Sequence, residues 1–310
     1  MDDSYVLVIG TACLDIKGWP RSRLEPGASA PGIIRTTVGG VGRNIAENLV
    51  RLGVSTVLLS AVGLDRSGER ILLQASAAGI DVSNVLEVDD CPTGAYMALL
   101  DETGALAYAI NDTRVAQRLR PRYFYANRRL FRDASMIVLD ASPPPDSLQT
   151  IFRLARQYQV PVCADPTSPA LAPRLCPYLG DLLLITPNVQ ELAAFCDIAV
   201  SDNSDAAALE AAKQMVALGV EIAVITLAEQ GLCYATSGES GRVPAVRTEV
   251  ADLTGGGDAL TAAIIFALLN DIPVSEAMPL GCSAASLTIA SEHTVVPDLT
   301  LELLYDNLAI

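Results

Sequence analysis

Regular structure begins with Tyr5, Val6, Leu7, Val8 and Ile9, closed by Gly10. A continuous apolar run of this length, with no helical period, predicts a strand buried on both faces. Comparable runs recur at 56–62, 136–140, 160–165, 182–186 and 222–227. Between them the period changes. Ile45, Leu49 and Leu52 fall on one helical face, and Gly53 closes that helix. Further helices are expected at 68–78, 145–158, from 188 to 195, and at 205–218, the last closed by Gly219. Strand alternating with helix is the rhythm of βαβ units, which build a parallel sheet covered on both faces.

Two stretches break this rhythm. Residues 17–38 are rich in Pro, Gly and Arg and read as an excursion from the main sheet. Residues 94–100 and 105–110 are β-prone runs around Asp101, Glu102, Thr103 and Gly104, a hairpin signal. Together, about 13–38 and 92–112 are expected to form a small sheet over the main one. No linker, repeat or low-complexity tract divides the chain, so residues 1–310 read as a single α/β domain.

One apolar run differs from the rest. Residues 259–269 are apolar on every helical face and predict a buried helix. Gly255, Gly256, Gly257 and Asp258 precede it. A buried helix opening at a glycine loop is an anion site, because its free N–H groups and its dipole both favour negative charge. A carboxylate beside such a site suits phosphoryl transfer to an alcohol. The same residues also read as a plain glycine turn with Asp258 as an N-cap.

Composition narrows the chemistry. The chain has 310 residues, 51% of them hydrophobic and 18% charged, which is ample for a large core. Its net charge of −15 and lack of a basic patch argue against nucleic acid as a partner, though not against a small anion held by backbone. His293 is the only histidine, which disfavours a histidine triad or a multi-histidine metal site. Lys17 and Lys213 are the only lysines and neither follows a phosphate-loop pattern, so that device and the protein-kinase signatures are absent. The seven cysteines are scattered, and no disulfide or zinc framework is expected. With no signal pattern and no membrane-length apolar run, the expectation is a soluble cytoplasmic protein with no membrane partner.

Further candidates follow in order. Asp15 lies just past the first strand, where ligands of open α/β sheets sit, or is an ordinary loop aspartate. Gly39, Gly40 and Gly42 allow close approach to a ligand, and Asn44 offers a donor and an acceptor to hydroxyl groups. Asn111 ends the second hairpin strand, where it either faces a substrate or closes a turn. Asn188 and Glu191 share a helical face; Glu191 either serves magnesium, directly or through water, or completes a capping box. Thr226, Ala228 and Gly231 end the next strand and turn.

In order, Asp15, then G-G-V-G-R-N at 39–44, P-N-x-x-E at 187–191 and D-x-T-G-x-G-D at 252–258 resemble the ribokinase-like (PfkB) family of sugar and nucleoside kinases, over essentially the whole chain. The resemblance implies a three-layer α/β/α sandwich with a mostly parallel central sheet and a small β-sheet lid. It implies ATP and magnesium, and in some members potassium. By that resemblance Asp258 is the base, with Gly255, Gly256 and Gly257 forming the anion hole. Asp15, Gly39, Gly40 and Asn44 hold the acceptor, with Asn111 above it. Asn188, Thr226 and Gly231 lie along the nucleotide with Gly255 and Gly257, Glu191 serves magnesium, and Asp252 and Thr254 serve a monovalent cation. Two positions depart: Gly256 stands where the family usually has alanine, and Ala228 where it usually has glycine. A helix N-terminus lowers a carboxyl pKa, so Asp258 is expected to be a weak base that acts late in the reaction.

Within the family, the strings at 10–15, 39–49, 109–112 and 281–283 are most similar to the pseudouridine kinases. That implies transfer from ATP to the 5′-hydroxyl of pseudouridine. Kinases of ribose, fructose, adenosine or inosine and guanosine are the nearest alternatives, and a non-catalytic nucleoside or sugar sensor is an alternative of another class. An NAD enzyme is disfavoured because no G-x-G-x-x-G follows the first strand. A homodimer through the lid is expected, since a small sheet leaves edges and an apolar face to cover.

Overall fold

A computed structural model describes residues 4–102, 104, 106–195 and 204–308. Thr103 of the expected hairpin turn, Ala105 at the start of its second strand, and Cys196 lie outside the described residues. In chain order the strands are β1 (Tyr5–Ile9), β2 (Cys13–Pro20), β3 (Gly32–Gly39), β4 (Thr56–Leu59), β5 (Ala61–Gly63), β6 (Leu86–Val88), β7 (Ala95–Leu100), β8 (Leu106–Asp112), β9 (Ala134–Asp140), β10 (Val162–Asp165), β11 (Leu182–Ile185), β12 (Ile222–Thr226), β13 (Leu232–Ala235) and β14 (Ser240–Val243). The helices are α1 (Val41–Arg51), α2 (Arg66–Ala77), α3 (Pro121–Ala126), α4 (Arg128–Asp133), α5 (Pro145–Tyr158), α6 (Val189–Ala194), α7 (Asp205–Ala217), α8 (Gly256–Leu269), α9 (Val274–Ile289) and α10 (Leu301–Leu308).

The main sheet runs β14-β13-β12-β11-β10-β9-β1-β4. It is parallel from β12 to β4, while β13 and β14 are antiparallel at one edge. Alternation along β1 shows how the core divides. Leu7 and Ile9 point into a layer with Phe124, Phe131, Phe152 and Met215, from α3, α4, α5 and α7. Val6 and Val8 point the other way, into a layer with α1, α8, α9 and α10. Successive strand side chains face opposite sides, so one apolar run serves both layers and the three-layer α/β/α sandwich follows. The chain leaves β1 for β4 on one side and later enters β9 on the other. The carboxyl ends of β1 and β9 therefore form the switch-point crevice of this sheet.

The excursion and the hairpin join in a second sheet of order β3-β2-β7-β8. Residues 17–38, which show no helical pattern, contribute half of β2 and most of β3. The expected strand at 56–62 is divided. β4 stays in the main sheet, while β5 turns away to pair with β6. The antiparallel edge β13–β14 and the turns around 172–181 have no distinct periodic signal. Among the described cysteines, Cys13, Cys91, Cys163, Cys233 and Cys282 are free, but Cys176 is disulfide-bonded. That corrects the expectation of no disulfide: separation along the chain does not report distance in the fold. Among the described residues, no helix is long and apolar enough to cross a membrane.

Candidate active site

α8 is apolar all round because α1, α9 and the sheet enclose it. Gly255, its N-cap, has φ +86, and a β-carbon there would overlap the carbonyl of Thr294. The left-handed turn and the close wall together require glycine. Gly256 is buried, and a β-carbon would lie 2.9 Å from the Ile289 side chain. Gly257 is the opposite case: nothing lies within 4 Å of where its β-carbon would be. The helix N-terminus therefore has one open flank, and its first N–H groups precede the first helical bond, from Ala259 to the Gly255 carbonyl.

The Asp258 side chain is buried and accepts a 2.8 Å hydrogen bond from Asn44 Nδ2. Asn44 sits in the first turn of α1, so this bond ties together two helix N-termini 214 residues apart in sequence. Burial pushes the Asp258 carboxyl up to about 7; the Asn44 bond opposes this, while Asp15, Asp140 and Glu191 push it further. The expectation of a lowered pKa is thus overturned. Loss of water and three neighbouring carboxyls outweigh the helix terminus.

Asp15 stands on β2 with its side chain buried, and burial pushes its carboxyl to about 6 against the pull of Lys17, Cys13 and Arg43. Its carboxylate fills the space that a β-carbon on Gly39 would take. Gly40 is the N-cap of α1, with φ +100. These two glycines make room for protein atoms: the Asp15 carboxylate at Gly39, and the 11–12 backbone at Gly40. Strand register places Thr37, Asp15, Tyr96 and Asn111 in one row across the small sheet. Asn111 thus shares a sheet face with Asp15 and is exposed, while the next residue, Asp112, pairs with Arg114.

A second group gathers at the ends of β11 and β12. Asn188 caps α6 in a full capping box, with Glu191 N–H donating to Asn188 Oδ1 and Asn188 N–H donating to Glu191 Oε2, both at 2.9 Å. Thr226 N–H donates to the Pro187 carbonyl, which holds the two strand ends together. Gly231 turns the chain into β13 with φ +97. Ala228 adopts φ +51, a left-handed conformation that costs an alanine about 1 kcal/mol. This accounts for glycine being the usual residue there.

Asp252 and Thr254 meet a partner that the sequence does not single out. Lys17 Nζ donates to Asp252 Oδ2 and to Thr254 Oγ1, each at 2.5 Å. Burial works against the Asp252 charge, but the Lys17 and Thr254 bonds hold its carboxyl below the ordinary range.

Other polar residues were also missed. Asp140 and Asp165 are register partners at the ends of β9 and β10, and both are buried. Asp140 accepts from the Thr11 N–H and hydroxyl. Burial and the nearby charges of Glu191 and Asp258 raise the Asp165 pKa strongly. Their signal was an acid closing each apolar run. Arg43 donates to Asn44 Oδ1 and pairs with Glu47, which orients the Asn44 amide so that its Nδ2 faces Asp258.

This architecture, with a glycine-opened helix N-terminus beside a buried carboxyl, suits a phosphotransferase with an alcohol acceptor. Residues 3–300 match the pfkB family of carbohydrate kinases, and the chain belongs to that family. Among curated relatives, the pseudouridine kinase of Escherichia coli (strain K12) is 33% identical over 301 residues, covering 97% of this chain and 95% of that one. The guanosine-inosine kinase of Exiguobacterium acetylicum is 26% identical, covering 95% and 97%. Among solved structures, the ribokinase of Arabidopsis thaliana complexed with ribose and ATP superposes with a TM-score of 0.85 at 21% identity, covering 99% of each chain.

Proposed function

We propose that the chain transfers the terminal phosphoryl group of ATP to the 5′-hydroxyl of pseudouridine, giving ADP and pseudouridine 5′-phosphate. The observation that carries the reaction is the Asn44–Asp258 bond beside the open flank at Gly257. It sets a carboxyl of raised proton affinity next to a helix N-terminus free to receive an anion. Asp258 takes the proton of the acceptor hydroxyl; a base titrating near 7 is well matched to neutral pH. The N–H groups at the start of α8 receive the charge of the transferring group. Asp15 and Asn44 hold the acceptor's hydroxyls, Gly39 and Gly40 shape that wall, and Asn111 faces it from the small sheet acting as a lid. Asn188, Thr226 and Gly231 line the nucleotide's path.

Glu191 closes its cap through Oε2 and lies among buried carboxyls whose pKa values are raised. Among the described residues, no three acids, cysteines or histidines cluster closely enough to cage a metal. Glu191 offers a single carboxylate, and a single carboxylate fits magnesium, which keeps waters and phosphate oxygens as most of its ligands. When bound, magnesium neutralises phosphate charge.

The 33% identity to a pseudouridine kinase supports the acceptor over the guanosine-inosine alternative, at 26%. The test is an ADP-release assay with magnesium, comparing pseudouridine, uridine, ribose, fructose, adenosine and inosine. Selective turnover of pseudouridine is expected. Preference for another acceptor would keep the kinase and discard the substrate. Nucleoside binding without turnover would indicate a sensor.

We also propose a homodimer through the lid. The face of the small sheet turned away from Asp15 carries Ile34, Tyr108 and Ile110, at 75%, 72% and 70% exposure. Soluble monomers seldom leave several large apolar side chains on one sheet face this exposed. Tyr108→Lys combined with Ile110→Lys is expected to halve the mass measured by light scattering. A monomeric wild-type chain would rule the dimer out.

A further inference from the structure

The Lys17 ammonium sits between Asp252 and Thr254, bonding to both side chains at 2.5 Å. Lys17 belongs to β2 of the small sheet. Asp252 and Thr254 belong to the loop that becomes the glycine turn of α8, 235 residues later. Both ends of the ion pair are largely withdrawn from water, at 9% and 22% side-chain exposure. Withdrawn pairs of this kind are screened little by salt.

The loop itself is firmly shaped. The N–H groups of Ala251 and Asp252 donate to the Ile289 carbonyl, and Thr254 N–H donates to Asp252 Oδ1 at 2.9 Å. The Asp252 carboxylate thus organises the turn that presents the N–H groups of α8. Yet a carboxylate there also opposes an incoming anion, so the turn needs a cation that neutralises Asp252 without blocking the open flank at Gly257.

We propose that Lys17 is a positioning residue: its ammonium is a tethered monovalent cation that holds the 252–254 loop in its anion-binding shape and removes any need for a free cation. This rests on the reading above that the start of α8 receives a phosphoryl group. Lys17→Met then leaves a carboxylate and a hydroxyl facing a space the size of an ammonium group, and a free potassium or ammonium ion refills it. A merely structural ion pair would give no rescue that depends on the kind of cation.

The experiment compares wild type and Lys17→Met in potassium chloride and in tetramethylammonium chloride at equal ionic strength. One arm measures kcat and KM for ATP; the other measures the melting temperature with no substrate present. Wild type is expected to be indifferent to the cation in both. In tetramethylammonium, Lys17→Met is expected to lose about tenfold or more in kcat/KM for ATP, the usual cost of a lost charged hydrogen bond. Potassium should restore most of that loss and raise the variant's melting temperature by about 2 °C through binding to the folded state.

A wild type strongly activated by potassium would overturn the proposal, as would a variant blind to the cation in both arms. If Lys17→Met does not fold in tetramethylammonium, refolding on potassium addition supports the proposal, and failure to refold overturns it. Because the melting arm needs no turnover, a chain that is not a kinase leaves it decisive.

Discussion

Asp258→Asn separates catalysis from stability. In the fold the Asp258 carboxyl titrates near 7, against an ordinary value of 3.8. A raised carboxyl pKa means that the folded chain holds a proton the unfolded chain has released. Stability from this group is therefore complete below about pH 4 and is lost as pH rises towards 7. At 1.36 kcal/mol per pH unit, the loss is about 4 kcal/mol above neutrality. Asparagine is close in shape, keeps an oxygen to accept the Asn44 bond and never ionises. The variant is expected to match wild type near pH 4 and to exceed it at pH 8. For a chain of this length, about 4 kcal/mol corresponds to roughly 6 °C in melting temperature. The same variant is expected to lose about a hundredfold or more in kcat, the usual scale for a general base, with KM little changed. The assays are thermal melts from pH 4 to 8 and ADP release at pH 7.5. A variant that is less stable than wild type by the same amount at every pH would refute the electrostatic reasoning. A fully active variant would refute the role as base.

The other predictions test neighbouring parts of the site. With Asp258 titrating near 7 in the free enzyme, kcat/KM should fall tenfold per pH unit below that value, and the profile of Asp258→Asn should lack this limb. A wild-type profile flat from pH 5.5 to 8 would count against the assignment. Gly257→Ala should fold at least as stably as wild type, because nothing occupies the space and alanine is the better helix former by about 1 kcal/mol. If the flank receives the phosphoryl group, the same variant loses at least about tenfold in kcat; steady-state kinetics beside a melt would expose an unaffected enzyme. Ala228→Gly should raise stability by about 0.5–1 kcal/mol by relieving the left-handed backbone, as read by urea titration; a destabilised variant would contradict that account.

Much of the fold was legible because it rests on local pattern. Unbroken apolar runs separated by helical periods dictate a parallel sheet between two helical layers, since neither element can bury its apolar surface alone. The glycine turn before the all-apolar run at 259–269 was visible for the same reason. The capping box of Asn188 and Glu191 is likewise a matter of three-residue spacing. The strand break near Ser60 and the antiparallel edge of β13 and β14 were not visible, because partners from distant elements decide them.

The candidate site divides along the same line. By itself, the sequence marked which residues can bend the backbone, start a helix or carry a charge, because those properties belong to a residue and its near neighbours. Only the tertiary structure decided what each charge experiences. Asp258 is a stronger base than a helix terminus alone would make it, because burial strips its water and Asp15, Asp140 and Glu191 crowd it. Asp252 is held charged because Lys17, 235 residues away, donates to it. Electrostatic energies depend on distance through space and on the water excluded between groups, and no spacing along a chain encodes either.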